Sequence, residues 1–133
     1  MFRKFSTDYG LLFIRVGIGI MFILHGYPKL IGGVPLWEAI GGNMRHIGIT
    51  FAPAFWGCMA AFAETFGGLC LILGFLYRPA LAALIFTMFI AAMMHYINGD
   101  GFKGYSHAVE SGILFIGLFI AGPGKYALKI VKR

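Results

Sequence analysis

Apolar positions fall in four long blocks separated by short polar stretches. Pro79 to Gly99 runs twenty-one residues without Asp, Glu, Lys or Arg, enough for a helix to cross the hydrocarbon layer of a bilayer. Pro53 to Leu76 is about as long and is interrupted only by Glu64; Tyr9 to Gly26 carries Arg15, and Ser106 to Ala121 carries Glu110. The blocks predict helices over about 9–26, 53–76, 79–98 and 106–121. A lone strand cannot satisfy its backbone in lipid and there are too few alternating segments for a barrel, so the fold class is all-α, a four-helix transmembrane bundle. Between the first two spans, Trp37, Ile40, Met44 and Ile47 recur at three- and four-residue steps. They predict a short helix on the outer surface, opposed by the Gly41-Gly42 pair.

Composition confirms lipid as the solvent. Of 133 residues, 59% are hydrophobic and 12% charged, about half the usual charged fraction of a globular domain. A chain this small has too little interior to hide that surface. Residues 1–133 read as a single transmembrane domain. The net charge of +6 sits mostly in the tails and not on a patterned face, so it reads as a topology signal, with no nucleic acid as partner. Cys58 and Cys70 lie in one predicted helix, roughly 18 Å apart, and cannot form a disulfide. Arg3 and Lys4 before the first apolar run resemble a secretory signal, but Arg15 inside it and the lack of an A-x-A site predict that the segment is retained.

Lys and Arg placement sets the expected orientation. With four spans, Arg3, Lys4, Arg78, Lys125, Lys129, Lys132 and Arg133 share one side, seven against Lys29, Arg45 and Lys103 on the other. Both termini are expected to be cytoplasmic. The Gly-rich stretch Asn98 to Tyr105 is then an outer loop.

Small residues mark the faces that pack. Glu64 shares a helix face with Gly57, Ala60, Ala61, Gly67, Gly68 and Leu71; Arg15, Gly19, Phe22, Gly26 and Lys29 form a stripe on the first span, and Ala83, Thr87, Ala91 and His95 on the third. Such stripes let helices approach closely in lipid. An embedded ionic group needs company, so Arg15 and Glu64 are expected to form a structural ion pair; the alternatives for Glu64 are protonation or a bond to an outer-side histidine.

The other polar residues converge at one height: His25, His95, Asn98, His107 and Glu110, flanked by Lys29, Asp100 and Lys103. Polar groups at the mouth of an apolar bundle are the usual form of a small-molecule site. Three chemistries compete with plain interfacial hydrogen bonding. The preferred one is a quinone, its carbonyls held by His25, Lys29, His95 and His107 as cofactor-binding residues, with Glu64 and Glu110 as catalytic proton relays. A metal on His25, His95, His107 and Glu110 lacks diagnostic spacing, so no metal is expected. Haem between facing histidines has no designated pair. No nucleophile has an evident base.

The segments RVGIGIMFILHGYPK (Arg15 to Lys29), ETFGGLCLILGFLYRP (Glu64 to Pro79), HYINGDGF (His95 to Phe102), Glu110 and AGPGKY (Ala121 to Tyr126) resemble the DoxX family of small bacterial membrane proteins, in the family's order and spacing. The resemblance implies four transmembrane helices in the cytoplasmic (inner) membrane and a link to redox chemistry, since relatives include the membrane subunit of a thiosulfate:quinone oxidoreductase. It places Arg15, His25, Lys29, Glu64, His95 and Glu110 on recurrent polar positions. Where the family often reads GPGxxSxD, Ala127 and Lys129 stand at the Ser and Asp places. The expected function is a quinone-facing redox component, alone or as the membrane subunit beside a redox-enzyme partner; the alternative is a non-catalytic anchor that docks a partner. Transport would require a homo-oligomer.

Overall fold

A computed structural model describes residues 2–129, and within them every regular element is helical. Helix α1 spans Phe2–Leu30, a short α2 spans Val34–Gly41 and runs into a 3-10 stretch Gly42–Ile47, and α3, α4 and α5 span Pro53–Leu73, Tyr77–Ile97 and Gly101–Ala121. Four of these helices are long and apolar enough to cross a membrane. Lys132 and Arg133, used in the charge count, lie outside the described residues.

The boundaries differ from the expected ones at polar ends. At twenty-nine residues, α1 is about 44 Å long and carries Tyr27 to Leu30 as continuous helix. The first turn of α5 takes up most of the expected outer loop, leaving only Asn98 to Asp100 between α4 and α5, with Gly99 and Gly101 at φ 74° and 72°. Local turn glycines thus let helix extend where polarity alone reads as loop. At the other end of the bundle α3 stops at Gly74, φ 69°, and three residues return the chain into α4.

Helices α1 and α3 are held together by absent side chains. A Cβ on Gly19 would lie 2.6 Å from the Gly68 carbonyl, and a Cβ on Gly68 would lie 2.6 Å from the Gly19 carbonyl. Higher up, a Cβ on Gly26 would be 2.6 Å from Glu64 Cβ. The stripes read from the sequence on these two helices are the packed faces: Arg15, Gly19, Phe22 and Gly26 are buried, as are Gly57, Ala61, Glu64, Gly67 and Gly68. Helix α2 seats on α3 by the same means, since a Cβ on Gly57 would fall on the Trp37 carbonyl.

On α4 the packed face differs from the expected one. Tyr77, Leu81, Leu84 and Met88 are buried and join Phe22, Leu71, Phe115 and Leu118 in the core, whereas Ala83 is exposed. Large side chains here fill a wider gap. Outward faces carry Phe13, Leu24, Ile113 and Ile120, 63–82% exposed, which only acyl chains or another protein can cover.

Candidate functional site

The two ends of the bundle deal with ionic groups differently. At the end holding the α3–α4 turn, Arg15 is fully buried. Its Nε donates to the Leu71 carbonyl at 2.9 Å and Nη2 to Ile72 at 3.0 Å, while Nη1 donates to Pro123 at 2.7 Å and Tyr126 at 2.8 Å. The first two acceptors belong to the last turn of α3, whose carbonyls carry the negative end of its dipole; Leu71 also accepts a long 3.3 Å bond from the Gly74 N–H. The other two belong to the segment after α5, which is further fixed by Leu128 N–H to the Leu73 carbonyl and Lys125 N–H to Asp8 Oδ1. One planar guanidinium thus caps a helix and ties down the chain that follows the last span.

The expected Arg15–Glu64 ion pair is therefore not formed. Arg15 is level with Leu71, and Glu64 is seven residues along α3, about 10 Å away. Glu64 instead pairs with Lys29, whose Nζ is 3.0 and 3.2 Å from its two carboxylate oxygens. The helix geometry explains the match. Side chains lean toward the N-terminus of their own helix, so Glu64 leans along α3 toward α2, and Lys29, in the last turn of α1, leans down to meet it. Gly26 brings the two backbones together one turn below Lys29. The Lys29 carbonyl accepts from Trp37 Nε1 at 2.9 Å, which ties α2 to the pair.

Above Glu64 the helices diverge around a cavity of about 460 Å³, lined in part by α2 and the 3-10 stretch after it. His25, Lys29, Glu64, His95 and His107 all line it, so five of the six predicted binding and relay residues come together. The His25 and His107 rings from α1 and α5 stand 5.3 Å apart, with Phe22 beneath both. His95 Nδ1 is 2.7 Å from Asp100 Oδ2, which leaves Nε2 as the ring nitrogen without that carboxylate. Phe86, Met44, Met59, Met88 and Met94 supply the apolar wall. The sixth residue departs: Glu110 is exposed and is not part of the lining. His107 and Glu110 do share a helix side, but only His107 lies close enough to α1 to reach the cavity.

Trp56 was not anticipated. It lines the cavity, and its indole Nε1 is buried without a hydrogen-bond partner, an exposed cost unless an acceptor is supplied. Its place in the first turn of α3 followed an apolar pattern that masked the donor. Among the described residues no group of three or more His, Cys, Asp or Glu side chains is placed to hold a metal ion.

A family model described as DoxX matches residues 10–97. The chain is also 29% identical over 130 residues to the inner membrane protein YqjF of Escherichia coli (strain K12), covering 94% of this chain and 93% of that protein. No solved structure matches.

Proposed function

The chain belongs to the DoxX family of integral membrane proteins, and from that premise we propose that it is a multi-pass inner-membrane component, with both termini cytoplasmic, whose α2-side cavity receives a quinone head group. The observation that carries this is the cavity itself. It has the volume of a small-molecule site, an apolar wall, and donors gathered at one end: the Lys29 ammonium, the orphan Trp56 indole N–H and the imidazoles of His25 and His107. Donors facing an apolar slot fit a flat ring with carbonyl acceptors at its edge.

A bound quinone would supply the capacity to carry electrons and protons together. This chain's residues would hold it: Lys29, Trp56, His25 and His107 would border its carbonyls, and Glu64, buried beneath Lys29, would hold or pass a proton. Electrons come from a redox-enzyme partner. The test is extraction of the protein purified in native lipid. Quinone should co-purify with the wild type and fall away in Lys29→Ala and Trp56→Phe; no quinone in the wild type overturns the reading.

One observation favours the alternative, a non-catalytic anchor. Lys29 and Glu64 already satisfy each other, as a purely structural pair would. In that case Lys29→Ala leaves quinol turnover in membranes unchanged while lowering protein yield.

A further inference from the structure

The cavity of the quinone reading does not stay inside the bundle. At about 100° per residue, the α4 side chains that line it run round the helix from Met88 and Ala91 on the packed side, through Thr87 and Ala83, to Ile90 and Phe86 on the opposite side. On α3 they run from buried Glu64 through Ala63 to Met59. Met59 and Phe86 are 39% and 46% exposed. They lie about 9 Å from the first residue of α3 and about 14 Å from the first residue of α4, within a hydrocarbon layer about 30 Å thick. The cavity therefore has a mouth in the side of the bundle, between α3 and α4.

The rim of that mouth is apolar, and the one hydroxyl on it, Thr87 Oγ1, donates its proton to the Ala83 carbonyl at 2.8 Å. Elsewhere the walls meet. The 3-10 stretch packs on both α3 and α4; between α1 and α5, Phe22 stands edge-on to Phe115 at 4.8 Å, with the His25 and His107 rings 5.3 Å apart. Outside the mouth, Phe86 also borders an apolar groove lined by Ile85, Phe89, Ile116 and Phe119. A polar solute would have to shed its water to pass such a rim, whereas an apolar chain passes from lipid into it with no change of solvent.

We propose, resting on the quinone reading, that the ligand is a lipid-dissolved quinone with a long apolar tail that enters sideways between Met59 and Phe86. Its ring sits beside Lys29 and Trp56, and its tail stays in the mouth and lies across Phe86 into the groove.

The experiment uses the whole chain in lipid nanodiscs and two photoreactive quinones with isoprenoid tails, one carrying an azide on the ring and the other a diazirine on the tail, with adducts mapped by peptide mass spectrometry. The ring probe should label His25, Trp56 or His107. The tail probe should label Met59, Phe86 or Phe119 about tenfold more than Phe13 and Leu24 on the outward face of α1, and Ala83→Phe, which narrows the mouth, should lower that label about tenfold. Unlabelled tailed quinone should compete it away, and added phospholipid should not. Ring label in the cavity with tail label spread evenly over α1 and α4, displaced by phospholipid, or unmoved by Ala83→Phe overturns the side entry and leaves the quinone reading standing. No ring label in the cavity overturns that reading, and the side entry with it.

Discussion

Arg15 shows how much one side chain can organise when water is absent. Its four acceptors come from two segments, and a lysine ammonium has three donors and no planar fork. Arg15→Lys is expected to cost at least about 2 kcal/mol, seen as earlier thermal unfolding in detergent and faster tryptic cleavage at Lys125. The Lys29–Glu64 pair makes a complementary case. Lys29→Met strands a buried carboxylate and should cost roughly 2 kcal/mol, less than for a fully buried pair because the Lys29 side chain is 38% exposed. Lys29→Met with Glu64→Leu should recover most of the loss in denaturant unfolding, since neither charge is then left alone. At this scale the sequence revealed which residues are embedded but not which pair. Arg15 and Glu64 are the obvious opposites by type, yet their partners depend on height along each helix and on where the segment after α5 returns. Trp56 was hidden because a tryptophan in an apolar run looks like any other wall residue.

Among the elements, α1 and α3 were the most legible, because small residues at helical spacing in lipid have few uses besides close contact. The contrast between two glycines of α1 tests this. Gly19→Val drives a side chain into the Gly68 carbonyl and should cost about 1–3 kcal/mol or separate the helices. Gly17→Ala, where a Cβ meets nothing within 4 Å, should be neutral or stabilise by up to about 1 kcal/mol. Thermal unfolding of both variants in one detergent decides it. The α4 face was misread for a physical reason: small residues occur there too, but they border the cavity, and the larger Leu81, Leu84 and Met88 make the contact. Helix ends were also beyond reach, since Gly99 and Gly101 permit a tight turn that polarity presents as a loop.

At the scale of the molecule, apolar length alone predicted the number of spans. Four crossings would put both termini on one side, and the proposed orientation, drawn from the basic residues, makes that side the cytoplasm. A fluorescent protein fused at either terminus should therefore fold and emit, and alkaline phosphatase inserted at Gly99 should be active; the reverse pattern would invert the topology without changing the bundle. With the termini inside, the cavity lies at the outer end of the bundle; inverted, it would lie at the cytoplasmic end.

The Arg15 clasp also imposes an order on biogenesis. Two of its acceptors lie 108 and 111 residues downstream, so at about 5–20 residues per second a ribosome delivers them roughly 5–20 s after the guanidinium itself. For the first half of that interval, until Leu71 and Ile72 arrive 56 and 57 residues downstream, none of its acceptors has been made, and its long stem must reach back to the headgroups. The segment after α5 thus completes the clasp that lets the first helix settle, which makes its arrival a checkpoint for assembly.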